Sequence, residues 1–430
     1  MKRLLISLIA VAVCCTTLSA QQTKRQLIKK LGSVYELVDE YYVEDTPLEP
    51  LVEEAIRTTL KSLDPHSQYL SKEEMEASNR RLKGLDTLHH PIVAFRVDSV
   101  GYISIFTFTK SLSSEFYTAY KALGDINSLV VDLRDNGGGY VSAAIDLTSL
   151  FLCKGDVMLI TESKQREIIY DCSRDGVLRD IPLVVIINEN TASASEIFAG
   201  AIQDHDRGVI VGRTSYGKGL IQKNIEFNDG SGIRITSARY KTPSGRPIQR
   251  PYTMGNDDAY HSDSTRYLHP DSIVRADSLK FKTLKRGREV YACGGITPDV
   301  YLRVDTLQLT PNLLNSIKNG VAKQSVAEFL TTTTTEAIKQ SCPTQYEFCE
   351  CYQLSPSLLD IFYNKTGYRY SDTTSTDYRY LEAVLLATLA EQLYGIEARC
   401  YTYINKFDYV AKKAIGIAKD VKSKGIFIEK

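Results

Sequence analysis

Asn188-Glu189-Asn190-Thr191-Ala192-Ser193-Ala194-Ser195-Glu196-Ile197 follows the apolar run 182–187 and leads straight into the helix-forming segment 194–203. A strand that feeds a helix through a short polar turn is the unit of a parallel α/β sheet. It sets Ser193 at the positive end of a helix, among backbone N–H groups with no intrahelical acceptor. Ser215-Tyr216-Gly217-Lys218-Gly219 comes next. A serine, a lysine and backbone donors are the parts of an acyl-transfer site that uses no histidine.

A serine hydroxyl needs a base, and an ordinary lysine is protonated, with a reference pKa of about 10.4. To act as base Lys218 must lie near 7–8, and desolvation is the usual cause of such a drop. The chain turns at 204–208 and returns as the apolar strand 208–212, so Lys218 comes back to the sheet edge from which Ser193 projects. Open α/β sheets collect their ligands at that edge. Gln222 lies four residues beyond Lys218 and can hold its amine if the chain coils there in one helical turn, because four extended residues span about 13 Å. The oxyanion donors expected are the amide of Ala194 and one from Gly138 or Gly139.

Plainer readings exist. Ser193 with Glu196 has the spacing of a capping box. Ser195 is a rival nucleophile. Asp204 and His205 invite a Ser-His-Asp triad but lie at the far end of the Ser193 helix, about 16 Å away. His66 reads as a structural hydrogen-bonder, and Asp132 with Arg134 as a structural salt link.

Outward from this stretch, 24–82 shows helical spacing in three segments, broken at Pro65. From residue 91 the pattern becomes strands at 92–97, 101–106, 128–133, 156–161 and 183–187, with helices at 113–123 and 141–152. Residues 222–240 read as antiparallel about an Asp229-Gly230 turn, 251–290 as a polar surface insertion, and 306–430 as mainly helical.

The chain has 430 residues, with 52 basic and 52 acidic side chains, 43% hydrophobic and 24% charged. A zero balance gives no reason to expect nucleic acid. Lys2 and Arg3, the run 4–13 and Leu18-Ser19-Ala20 form an export signal, with cleavage expected after Ala20 in preference to lipidation at Cys14. The expected product is periplasmic or secreted, with no integral membrane span. Four of its seven cysteines, Cys342, Cys349, Cys351 and Cys400, lie in the C-terminal part, where a disulfide is expected in an oxidising compartment. Their spacing lacks a zinc pattern, and no metal or cofactor is expected.

Six ordered pieces carry a family resemblance: Leu63-Asp64-Pro65-His66-Ser67, the 132–139 run, 191–197, Gly217-Lys218-Gly219 with Gln222, Tyr240-Lys241-Thr242-Pro243-Ser244-Gly245-Arg246, and Gly295-Ile296-Thr297-Pro298-Asp299. Together, over about residues 30–305, they resemble the C-terminal processing peptidases, or tail-specific proteases. The resemblance implies a ClpP/crotonase-like α/β core with Ser193 as nucleophile, Lys218 as general base and Gln222 as orienting member. It implies endopeptidase action near C-termini on extended protein or peptide, without metal or nucleotide. The expected organisation is a signal peptide at 1–20, an N-terminal helical region at 21–90, the core at 91–305 and a C-terminal helical region at 306–430. The family usually inserts a PDZ domain after the Asp-Pro-His-Ser piece, and none of ordinary size fits between Lys72 and Pro91. An adaptor or self-association could stand in for it. A non-catalytic peptide-binding scaffold is the alternative reading.

Overall fold

In a computed structural model, described over residues 23–83, 91–255, 260, 279–292, 294–302 and 309–424, the sheet order follows from the apolar runs. Strands β2 (Ile92–Val97), β3 (Val100–Ile105), β4 (Ser128–Asp132), β7 (Leu183–Ile187), β8 (Val209–Gly212) and β13 (Val300–Tyr301) form a six-stranded sheet. The order is β13-β8-β7-β4-β3-β2, parallel except for the β2–β3 pair. β4 and β7 are buried at every position. A continuous apolar strand must be covered on both faces. Leu129, Val131, Leu183, Val185 and Ile187 face α4 (Leu112–Ala122), α5 (Val141–Ser149) and α6 (Ala194–Asp204). The alternate residues Tyr102, Val130, Val184, Ile186 and Val211 face the C-terminal region.

In the second sheet β10 pairs with β1 and β5 along one edge and with β9 along the other, and β6 pairs with β5. Its strands are β1 (Gln68–Leu70), β5 (Val157–Ser163), β6 (Glu167–Asp171), β9 (Leu220–Glu226) and β10 (Gly232–Lys241), all antiparallel. The antiparallel reading of 222–240 is what the structure has. β1 and β6 are additions to the sequence reading. β1 is three residues long, and β6 alternates exposed and half-buried positions, too weak a pattern to stand out.

Among the described residues the N-terminal part has three helices, α1 (23–41), α2 (Leu48–Lys61) and α3 (Lys72–Leu82). Ser71 and Glu74 close a capping box at the start of α3. Most of the 251–290 segment lies outside the described residues, as does the 1–20 signal. Its end, however, forms a hairpin of β11 (Lys280–Lys282) and β12 (Glu289–Tyr291), so that part is ordered strand rather than irregular insertion. Eight helices then follow within 309–424, from α7 (Pro311–Lys318) through α8 (Val321–Thr332), α9 (Thr335–Ser341), α10 (Gln345–Cys351), α11 (Pro356–Thr366), α12 (Thr376–Tyr394) and α13 (Ile396–Lys406) to α14 (Tyr409–Lys424).

These helices hold a core of their own around Leu313, Phe329, Phe362 and Leu385. α13 and α14 also lay Tyr401, Ile404, Val410, Ala411 and Ala414 on the second face of the six-stranded sheet. The Asp132–Arg134 link is tied into this contact. The Arg134 guanidinium donates to Asp132 Oδ2 at 2.7 Å and to Asp408 Oδ2 at 2.7 Å. The expected C-terminal disulfide is not formed: Cys342, Cys349, Cys351 and Cys400 are free thiols. Among the described residues no helix is long and apolar enough to cross a membrane.

Candidate active site

Ser193 stands at the junction of the β7 turn and α6 with φ 58° and ψ −115°. A non-glycine residue with positive φ costs about 1–3 kcal/mol and persists only where its surroundings hold it. Here its N–H donates to Glu196 Oε2 at 2.9 Å, and its carbonyl accepts from Tyr240 Oη at 3.1 Å. The side chain makes no capping hydrogen bond. Ser193 and Glu196 have the capping-box arrangement that their spacing suggests, and the Glu196 N–H donates to the Ser193 carbonyl at 2.9 Å. The serine hydroxyl is not consumed by the helix. Ser195 is fully buried and its Oγ donates to the Asn136 carbonyl at 3.1 Å, which removes it as a nucleophile.

Glu196 is the residue that sequence reasoning undervalued. Its carboxylate is fully buried and accepts four hydrogen bonds. Oε2 takes the Ser193 and Lys218 amides, each at 2.9 Å. Oε1 takes the Gly217 amide at 2.7 Å and Ser215 Oγ at 2.5 Å. One oxygen thus holds the main chains of serine and lysine side by side. Burial pushes this carboxyl above its usual range, and the Ser215, Lys218, Gly217 and Ser193 donors pull it back down. The only signal in the sequence was the i, i+3 spacing from Ser193, which a plain helix start also produces.

Lys218 lies in a half-buried position with its Nζ donating to Gln222 Oε1 at 2.6 Å. Burial pushes its amine down to about 8, helped by the Arg234 charge and opposed by Glu196 and Asp64. The expected helical turn after Lys218 does not occur: Leu220 already opens β9. The two long side chains close the gap instead. Gln222 is held from behind, its Nε2 donating to the His66 carbonyl at 2.5 Å. That carbonyl is aimed by Asp64, whose Oδ1 accepts the His66 and Ser67 amides at 2.9 Å each and whose Oδ2 accepts Ser67 Oγ at 2.7 Å. The Asp-Pro-His-Ser piece is an Asx-type turn that serves Gln222 through its backbone.

The loop after β4 packs against Ser193 and Ala194. Gly138 has φ 97°, and a Cβ built on it would lie 2.9 Å from both Ala194 N and Ser193 Cβ, and 2.8 Å from the Ala192 carbonyl oxygen. Its amide donates to Asn136 Oδ1 at 2.8 Å. This corrects the expectation for Gly138: its N–H is engaged, and its role is close approach. The Ala194 and Gly139 amides have no acceptor among the described residues, although Ala194 is fully buried. An unpaired buried N–H demands an explanation, and an acceptor oxygen on a bound ligand would satisfy it. Gly138→Ala is expected to cost about 2–4 kcal/mol, from overpacking plus backbone strain, and to lower turnover at least about 100-fold. A denaturant titration and initial rates check both.

The remaining motifs fasten this frame. Ser215 N donates to the Ile296 carbonyl at 3.1 Å, and Ser215 Oγ accepts from Ile296 N at 2.6 Å. This seats the lysine loop on Gly295–Asp299. Arg246, wholly buried, pairs with Asp204 Oδ1 at 2.9 Å and Gln203 Oε1 at 2.7 Å. Asp204 is thereby used at the end of α6. His205 Nε2 meets the Val157 carbonyl at 2.7 Å, so neither joins Ser193 in a triad.

A profile of peptidase family S41 matches residues 99–255, and one of the activating protease CtpB N-terminal domain matches 11–74. The C-terminal processing peptidase of Tetradesmus obliquus chloroplasts is 39% identical over 153 residues, covering 35% of this chain and 33% of that protein. The carboxy-terminal-processing protease of Bartonella bacilliformis is 28% identical over 335 residues, covering 56% and 77%. Among solved structures, a photosystem II D1 C-terminal processing protease aligns with a TM-score of 0.41 at 20% identity, over 63% of this chain and 91% of that one. The chain spans about a third of the length of the first curated relatives it matches. Over residues 99–255 the chain is therefore similar to peptidase family S41, and over 11–74 to the CtpB N-terminal domain.

Proposed function

We propose that the protein is an exported serine endopeptidase that cleaves extended protein or peptide chains near their C-termini by a serine–lysine mechanism. The observation that carries this is the Lys218 amine. It is pushed down to about 8, held by Gln222, and tied through one Glu196 oxygen to the Ser193 backbone.

The neutral amine donates one N–H to Gln222, which aims its lone pair. It takes the Ser193 Oγ proton as Oγ bonds to the substrate carbonyl carbon. The carbonyl π pair moves onto oxygen, held by the Ala194 and Gly139 amides. Collapse breaks the C–N bond, and the leaving nitrogen takes the proton from Lys218. Water, deprotonated by the same amine, then cleaves the ester and restores Ser193. The substrate strand would pair along a sheet edge.

The test is cleavage of an unfolded protein, with products mapped by mass spectrometry and kcat/KM followed from pH 6 to 10. The base must be neutral, so the rate is expected to rise with pH through an apparent pKa of about 8 and then level off. Internal bonds cut close to the C-terminus support the reading. A rate independent of pH over this range would contradict the role of Lys218, and no cleavage at all would return the chain to the scaffold alternative.

A further inference from the structure

Two arginines stand beside the reaction centre, and among the described residues neither has a carboxylate partner. Arg234 lies directly opposite Asn224 across β10 and β9, two residues from the Thr236–Gln222 pair. Side chains two apart on a strand share a face, so Arg234 stands on the face where Gln222 holds Lys218. Its Nε donates to Asn224 Oδ1 at 3.0 Å and its Nη2 to Ser78 Oγ at 2.6 Å; both partners are neutral. Ser78 lies on α3 three residues before Arg81, which places the two on one helix face.

The Arg81 Nη2 sits 3.5 Å from where a Cβ of Gly137 would be. Gly137 adjoins Gly138, whose own backbone abuts Ser193 and Ala194. The two positive charges are close enough that Arg81, after burial, pushes the Arg234 guanidinium down. Arg81 is exposed and its side chain has no acceptor among the described residues. Holding two like charges together next to a reaction centre is unfavourable unless an anion joins them.

We propose that Arg81 and Arg234 form a receptor for a carboxylate of the peptide substrate, set directly on the peptidase core. This rests on the peptidase reading and names what the same site recognises. A guanidinium fork matches a carboxylate through two parallel N–H···O bonds. An extended peptide brings such a group either as its terminal α-carboxylate or as an Asp or Glu side chain. Because α3 occupies the short interval between the Asp-Pro-His-Ser turn and β2, the receptor sits beside the nucleophile. The carboxylate would then lie within a few residues of the bond cut.

The experiment measures binding without turnover, using Ser193→Ala protein and fluorescein-labelled peptides by anisotropy at low salt. One arm compares a peptide ending in a free acid with its carboxamide. The other compares internal Glu with Gln in carboxamide peptides. The expected result is at least about tenfold tighter binding of the carboxylate form in one arm. That difference should fall below about twofold when Arg81→Gln is added, and be partly restored by Arg81→Lys. The arm that discriminates identifies the source of the carboxylate. No discrimination in either arm, or discrimination that survives Arg81→Gln combined with Arg234→Gln, overturns the proposal. Unchanged thermal unfolding of the Arg81 variants excludes misfolding as the cause. An inactive native enzyme would end the peptidase reading yet leave this binding result to stand or fall alone.

Discussion

Ser193→Ala is expected to lower kcat/KM for an unfolded protein substrate by at least about 10⁴-fold, the scale seen when a serine nucleophile is removed. Stability should change by less than about 1 kcal/mol, because the Glu196 N–H that the Ser193 side chain faces in the capping box already donates to the Ser193 carbonyl. The backbone contacts that hold φ at 58°, from Glu196 and Tyr240, do not involve the side chain. Alanine meets the same strain as serine there. The fold of the variant is checked by thermal unfolding and its turnover by product mapping. Retention of more than a tenth of the native rate would reject Ser193 as the attacking group.

Glu196→Gln is expected to damage stability and turnover together, although it changes one atom. The carboxylate accepts from Ser193 N and Lys218 N on one oxygen, and from Gly217 N and Ser215 Oγ on the other. A carboxamide keeps one accepting oxygen, and its NH₂ must then face N–H donors that it cannot satisfy. Leaving a buried donor unpaired costs about 1–3 kcal/mol each, so about 2–5 kcal/mol of stability should be lost. The loosened Ser193 and Lys218 backbones would carry their side chains out of reacting distance, where about 1 Å of misplacement costs 10²-fold in rate. A drop in kcat of about 10²–10³ with KM little changed is the expected signature. Native kcat together with native unfolding would show that the carboxylate does not hold the pair.

These two expectations differ in how readable their residues were. Ser193 announces itself because a strand, a polar turn and a helix are local, and the helix start is local too. Lys218 and Gln222 were reachable through ordered motifs, yet the geometry of their pairing was not. Four residues of spacing suggest a coil after Lys218, whereas the structure uses side-chain length across a strand start and a brace from His66. Gly138 was readable as a glycine near the site. Whether its N–H or its missing Cβ mattered depended on Asn136, two residues away, turning its side chain inward. The four C-terminal thiols illustrate the same limit, since cysteine spacing says nothing about the distance between their sulfurs.

Local pattern alone determined the six-stranded sheet's main strands, the helices on its first face, the strand–turn–helix that strains Ser193, and the loop that returns Lys218. Each follows from periodicity, apolar runs and turn residues within a few positions of one another. Tertiary structure decided that α13 and α14 cover the sheet's second face, that Glu196 binds the serine and lysine amides on one oxygen, and that α3 brings Arg81 beside Gly137 and Ser78 to Arg234. Those are contacts between segments far apart in the chain. No propensity encodes them, because their energy comes from burial and from hydrogen bonds that exist only once the layers have packed.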